Sequence, residues 1–218
     1  MRAQTKQRIL VSTIVVVAVV LDQLLKVYIK THFMLGEAHP VTSWFWLCFV
    51  ENNGMAFGIE WFSKLALTLF RIVVVGLIGW FVHRLIVQQT AGKMLRTGYL
   101  VSLACVIAGA LGIIIDCVFY GKIWGYAGWF YGKVVDMFYF PLIVTEYPSW
   151  VPIYGGQQFI FFSPIFNFAD AAVSCSVIAA FIFRKKELAE LMTVTEDTDK
   201  SKSHEEVKKI QPSEKNGP

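Results

Sequence analysis

Among the ionisable side chains within or beside long apolar runs of the chain, five are the informative ones: Asp22, Arg71, Asp116, Asp136 and Asp170. A charge placed in hydrocarbon is costly, so such residues are kept where they serve a site or a pairing. Four of the five are carboxylates, and the chemistry open to carboxylates is acid–base work. Two of them held close together in a partly dry site cannot both ionise cheaply, so one keeps its proton and the pair shares it. An acid and a base then coexist near neutral pH, as an aspartic protease requires. The ionised member takes a proton from the attacking water, and the protonated member hydrogen-bonds the developing oxyanion. Asp136 and Asp170 suit this role: each is set among apolar neighbours, in Lys133-Val134-Val135-Asp136-Met137-Phe138 and Phe166-Asn167-Phe168-Ala169-Asp170, and Asp170 has no basic residue within helical reach. Asn167, Asp170 and Ser174, three and four positions apart, share one helix face. For Asp22 and Asp116 the plainer reading is capping of helix ends or pairing with Arg71. Asp170 follows Asp136 by 34 positions, a separation that permits the two to meet without requiring it.

Other chemistries fit less well. The histidines, His32, His39, His83 and His204, show neither HExxH nor HxxEH spacing, so no zinc peptidase is indicated. There is no GxSxG elbow, no CxxC pair and no glycine loop of the Walker or dinucleotide type. Ser63 and Lys64 do not make a serine–lysine dyad, because adjacent helical residues point about 100° apart. Cys48, Cys105, Cys117 and Cys175 form no spaced disulfide framework.

The elements that must position the carboxylates are membrane helices. Of the 218 residues 56% are hydrophobic and 17% charged, and the mean hydropathy is +0.53, which excludes a water-soluble globular domain. The net charge of +4 marks no nucleic-acid surface, since the basic residues form no stripe and gather at the ends of apolar runs. Four such runs, 9–28, 65–87, 99–120 and 165–183, approach the roughly 20 residues needed to span a bilayer, so the expected fold is an all-α bundle of four transmembrane helices. A cleavable signal peptide over 1–21 is the weaker reading of the first run, which continues into Asp22-Gln23-Leu24-Leu25-Lys26 with no small-residue cleavage site. Basic residues precede the first run, separate the second from the third and follow the fourth, which places both termini in the cytoplasm and the connections 29–64 and 121–164 outside.

The third run carries Ala104, Ala108 and Gly112 every fourth residue with Gly109 beside them, a ridge on which another helix can approach closely. Residues 119–168 hold 18 of the 33 aromatics, a density that suits a collar of short strands and half-helices at the lipid headgroups. Residues 184–218 hold eight basic and eight acidic residues and no aromatic one, and are expected to form a solvated, disordered cytoplasmic tail after a peptidase domain over 1–183.

From about residue 15 to residue 183 the chain resembles lipoprotein signal peptidase, the signal peptidase II family. The likeness rests on Leu21-Asp22-Gln23 followed by Lys26, on Asn52-Asn53-Gly54-Met55-Ala56-Phe57-Gly58, and on Gly109-Ala110-Leu111-Gly112 with Asp116. It continues through Val134-Val135-Asp136 and Phe166-Asn167-Phe168-Ala169-Asp170. The resemblance implies an aspartic endopeptidase of the bacterial inner membrane, acting near its outer face on diacylglyceryl-modified prolipoproteins and cutting before the lipidated cysteine. It places the dyad on Asp136 and Asp170, and substrate-binding or supporting roles on Asp22, Asn52, Gly54, Asp116 and Asn167. It implies no metal or organic cofactor, and contact with prolipoprotein and membrane lipid by a monomer.

Two positions depart from the family pattern, in which the block after Gly-Ala-Leu-Gly continues with Asn and, three residues later, Asp and usually Arg. Here the chain reads Ile113-Ile114-Ile115-Asp116-Cys117, so an amide and a cation are replaced, and Arg71 is the available substitute for the cation. Residues 147–158 are expected to add an outward loop over the site entrance. The alternatives are a silent relative that binds lipoproteins or signal helices without cutting them, and, with little room for alternating access, a small proton-coupled transporter.

Overall fold

The computed structural model describes residues 2–53, 63–88, 95–183 and 185. Gly54 and, Lys185 apart, the tail 184–218 lie outside these described residues. Among the described residues three helices are long and apolar enough to cross a membrane: α1 (Arg2–His32), α2 (Lys64–Val87), and α3 (Thr97–Ile115) with its continuation to Ile123. A shorter apolar helix covers Phe168–Phe183.

The bounds differ from those expected, for local reasons. The first helix extends past 9–28 at both ends because its polar residues find partners: Gln7 Nε2 donates to the Leu95 carbonyl at 3.4 Å, and Lys30 pairs with Glu51. Ser63 does not act as half of a dyad; it caps α2, its hydroxyl accepting from Ala66 N–H at 3.3 Å. Beyond Ile115 the third helix widens into a π-helical turn, Asp116–Tyr120, and closes with one α-turn, Gly121–Ile123. The chain then folds back onto that turn, with Gly132 N–H donating to the Cys117 carbonyl at 2.9 Å and Phe130 N–H to the Val118 carbonyl at 3.1 Å. The helix expected over 165–183 starts at Phe168. Ile165–Phe166 instead gives its backbone to a sheet, and Asn167 becomes the cap.

The connecting segments form two small antiparallel sheets. One holds β1 (Ala38–Pro40), β2 (Trp46–Asn52), β3 (Val134–Tyr139) and β6 (Ile165–Phe166), in the order β1-β2-β3-β6. The other is the hairpin of β4 (Ile143–Glu146) and β5 (Gln158–Phe161). Along β3 the side chains alternate. Val135 and Met137 are fully buried against Ile29, Phe49 and Tyr120, contributing about 1.5–3 kcal/mol each. That anchoring leaves Asp136 on the opposite face of the strand. The pairings Val50↔Asp136 and Asn52↔Val134 place Asn52 diagonally beside Asp136 on that face.

The helices pack through α3. Its one side meets Val75, Val82 and Ile86 of α2 through Leu100, Ile107 and Ile114. Its glycine side receives α1 and the 168–183 helix. A Cβ at Gly109 would lie 2.5 Å from the Ala169 carbonyl oxygen, one at Gly98 would lie 2.8 Å from the Phe183 ring, and one at Gly112 would overlap the Asp22 carboxylate. The small-residue ridge therefore seats the 168–183 helix antiparallel to α3 and admits a carboxylate from α1 as well. Away from these contacts the helices expose Val16, Leu24, Val73, Leu77, Ile178 and Phe181, which hydrocarbon covers where water would not.

Gly112→Ala is expected to lower stability by about 1–3 kcal/mol through overpacking against Asp22 and Ala169. Gly76→Ala in α2, where a Cβ would meet nothing within 4 Å, is expected to leave the thermal midpoint unchanged or raise it. Thermal unfolding of the purified variants in one detergent measures both.

Candidate active site

The centre of the site is a buried amide. Asn167 is the N-cap of the 168–183 helix, and its Oδ1 accepts the Asp170 N–H at 2.9 Å while Asp170 Oδ2 accepts the Asn167 N–H at 3.4 Å. This is a reciprocal capping box, with aspartate in place of the usual glutamate or glutamine. The other end of the same amide, Nδ2, donates to Asp136 Oδ1 at 2.6 Å. One fully buried asparagine therefore stands between the two aspartates. Strand β6 puts it there: Phe138↔Phe166 pairing brings the chain to β3 two residues from Asp136, and the helix begins at once. The second oxygen of Asp136 accepts from Asn52 Nδ2. Burial, and then the charge of nearby Asp170, push the Asp136 carboxyl up to about 7, against the opposing pull of the Asn167 and Asn52 amides.

Beside this lies a second cluster. Lys26 Nζ, with no exposed surface, sits 2.8 Å from Asp22 Oδ2 and 2.6 Å from Asp116 Oδ2. Gln23 Nε2 donates to Asp116 Oδ1 at 3.0 Å and to Asp22 Oδ2 at 3.2 Å, and its Oε1 accepts from the Tyr120 hydroxyl at 3.1 Å. The free oxygen of Asp22 reaches the helix that carries Asp170: Oδ1 accepts the Ala169 N–H at 3.1 Å. Asp22 thus caps the first turn of that helix, where a negative charge also meets the positive end of the helix dipole.

The expected partner of Asp22 and Asp116, Arg71, is not their counter-ion. Lys26 is, because it lies one helical turn from Asp22 on the face of α1 turned to α3, whereas Arg71 of α2 extends its Nη1 to Cys117 Sγ at 3.4 Å. The i, i+4 spacing of Asp22 and Lys26 was the available signal for this pair. Gln23 belongs to the Leu21-Asp22-Gln23 block of the family resemblance, but its meeting with Tyr120 carried no sequence signal, since only the packing of α1 on the π-turn joins them. Asp22, Asn52, Asp116, Asp136, Asn167 and Asp170 therefore come together in one connected network. Gly54 lies outside the described residues.

Ile113 lines an apolar cavity of about 250 Å³ between α2, α3 and the 168–183 helix, together with Phe70, Arg71 and Val173. Val173 is one turn along its helix from Asp170, and neither Asp136 nor Asp170 lines the cavity. Among the described residues no group of three or more His, Cys, Asp or Glu side chains is arranged to hold a metal ion.

The sequence model of the family described as "Signal peptidase (SPase) II" matches residues 14–184. The chain is 40% identical over 215 residues to a lipoprotein signal peptidase of Porphyromonas gingivalis, covering 88% of this chain and 93% of that one. It is 33% identical over 198 residues to one of Amoebophilus asiaticus, covering 85% and 82%. Its backbone is similar to a bacterial membrane enzyme solved by the in meso method, with a TM-score of 0.59 and 24% identity over 83% of this chain and 90% of that one. That last likeness concerns the fold alone.

Lys26→Met is expected to cost about 3–5 kcal/mol, because it leaves two buried carboxylates facing each other with no cation. Loss of the folded, monodisperse protein in detergent, or a large drop in its thermal midpoint, is the result to look for. The double variant Lys26→Met/Asp116→Leu removes a cation and an anion together and is expected to recover part of the loss.

Proposed function

The chain belongs to the signal peptidase II family, and we propose that it is an aspartic-type endopeptidase that releases the signal peptide from diacylglyceryl-modified prolipoproteins, cutting on the amino side of the lipidated cysteine, with Asp136 and Asp170 as its catalytic pair. The observation that carries this reading is the single buried amide of Asn167 held between the two aspartates, one of which has its carboxyl pushed up to about 7. A pair that shares one proton at neutral pH meets the requirement for water attack on a peptide carbonyl. One carboxylate takes a proton as water adds. The protonated partner donates to the carbonyl oxygen as charge builds there, and proton return to the leaving amine completes hydrolysis.

The surrounding groups keep that geometry. Asn52 and Asn167 fix the Asp136 carboxyl plane, Asp22 fixes the start of the helix bearing Asp170, and Asp116 shares Lys26 with Asp22. Gly54 is assigned to close backbone approach by the lipid-bearing substrate. The cavity walled by Ile113, Phe70 and Val173 suits an apolar side chain of the substrate's signal helix, so isoleucine at 113 trades a polar contact for apolar surface there. The β4–β5 hairpin, with its turn over 147–157, is assigned to cover the entrance. No metal or organic cofactor enters this mechanism.

The helix Phe168–Phe183 is roughly 24 Å long, short for a hydrocarbon core of about 30 Å. We assign it as the fourth span, with its capped end sunk below the outer headgroups, which carries the aspartates to the depth of a signal peptide's end. The basic residues of the sequence that flank the opposite ends of the spans support an orientation with both termini in the cytoplasm, in the inner membrane of the bacterium. The described site residues Asp22, Asn52, Asp116, Asp136, Asn167 and Asp170 all come from one chain, which supports action as a monomer. A silent relative is not favoured, since both aspartates are present in the network and the matched relatives bear the peptidase's name.

Purified protein in detergent, given a diacylglyceryl-modified prolipoprotein, is expected to cut immediately before the lipidated cysteine, read by gel shift and mass spectrometry. Asp136→Asn and Asp170→Asn are each expected to lower the rate by about 10²–10⁴-fold or more while unfolding at the wild-type temperature; turnover retained in either variant removes that aspartate from the mechanism. The shared proton is lost as pH rises through about 7, so kcat/KM is expected to fall on the alkaline side of neutrality. Asn52→Ala removes a donor that favours the ionised form of Asp136, and is expected to move that alkaline limb to higher pH.

A further inference from the structure

The far face of the sheet carries a second polar constellation, which the peptide chemistry does not use. Because side chains alternate along β2, Asn52 turns toward Asp136 and Glu51 turns away. Glu51 Oε1 pairs with Lys30, and Glu51 Oε2 lies 3.6 Å from Lys133. Lys30 Nζ also sits 5.3 Å from the Phe49 ring centre, 5.2 Å from that of Trp124 and 5.1 Å from that of Tyr126, and Lys133 Nζ sits 5.8 Å from Tyr126. These six residues line a cavity of about 540 Å³.

Two ammonium groups face one carboxylate here, so one positive charge is left over. The hydrogen-bond inventory leans the same way. The Tyr126 oxygen accepts the Lys133 backbone N–H at 2.7 Å, which leaves the phenolic proton to give. The Lys133 side chain is 42% exposed and has room for a further partner. A cavity with surplus positive charge and spare donors calls for an anion with several acceptor oxygens.

Its place in the fold names the source. Lys30 lies at the end of the first apolar span, Ala3–His32, and Trp124 follows directly on the span Thr97–Ile123. The cavity therefore opens at the level where two spans leave the hydrocarbon. Leu35, 63% exposed, lines it, and Ile123, 65% exposed, adjoins Trp124 in the chain. Apolar surface beside a donor-rich cavity matches an acyl chain beside a phosphate. We propose that this cavity is a phospholipid headgroup site, in which Lys133 and Tyr126 hold the phosphate of a lipid from the surrounding leaflet while its chains lie along Leu35 and Ile123.

Native mass spectrometry of the full chain titrated with phosphatidylglycerol tests this without reference to peptidase activity. Wild type is expected to retain one phosphatidylglycerol more than Lys133→Gln, with half-saturation weakened about tenfold in the variant, the scale of one lost charge-assisted hydrogen bond. Tyr126→Phe is expected to weaken retention in the same direction, and Lys122→Gln, an exposed lysine outside the cavity, to match wild type. Diacylglycerol with the same acyl chains is expected to give no such adduct. Equal retention of diacylglycerol and phosphatidylglycerol, or wild-type retention by both Lys133→Gln and Tyr126→Phe, overturns the proposal. Binding of inorganic phosphate without any differential lipid adduct also overturns it, by showing a small-anion site with no lipid source.

Discussion

An ammonium buried between two carboxylates, Lys26 between Asp22 and Asp116, is the constraint on which the rest of the structure depends. Such a group is not a strong source of stability, because taking three charges out of water costs about as much as their attraction returns. What it supplies is position. Lys26 and Asp22 belong to α1 and Asp116 begins the π-turn after α3, so satisfying the ammonium fixes one helix against the other in both height and rotation. Gly112 makes the approach possible, since its missing side chain is the space Asp22 occupies. The remaining oxygen of Asp22 then sets the start of the 168–183 helix, and with it the height of Asp170.

The sheet fixes the other aspartate by a different means. Val135 and Met137 are held from below by apolar contact, and the alternation of the strand presents Asp136 on the opposite face. Asn167 joins the two systems: it closes the helix cap with one end of its amide and hydrogen-bonds Asp136 with the other. A residue that ends a strand, caps a helix and bridges two carboxylates leaves little freedom in the distance between them. The same alternation in β2 separates two kinds of chemistry by one residue, with Asn52 facing the aspartates and Glu51 facing the lysines and aromatic rings.

The departures from the family pattern fall where the structure absorbs them. Ile113 lies on the wall of an apolar cavity, and Cys117 meets the guanidinium of Arg71, which comes from α2. A cation is thus present next to Asp116's neighbour although its own helix supplies none.

Much of this was legible in the chain itself. Apolar runs of spanning length, basic flanks and isolated carboxylates follow from the cost of charge in hydrocarbon, which acts on each segment separately and so leaves its mark on local sequence. The aspartates at 136 and 170 were visible for that reason, and the small-residue ridge of α3 because close helix approach needs small residues at a four-residue spacing on one helix. Helix ends were less so: residues 165–166 are as apolar as the helix that follows, and only the edge of β3 decides that they pair as a strand. The partner of Asp22 and Asp116 was hidden although Lys26 lies four residues from Asp22, because a single sequence does not say which face of α1 meets α3. The three-way meeting of Asp136, Asn167 and Asp170, and the enclosure of Lys30 by Glu51 and three aromatic rings, join residues far apart in the chain. Their energies depend on distances of a few ångströms, and those distances exist only once the helices and the sheet have packed.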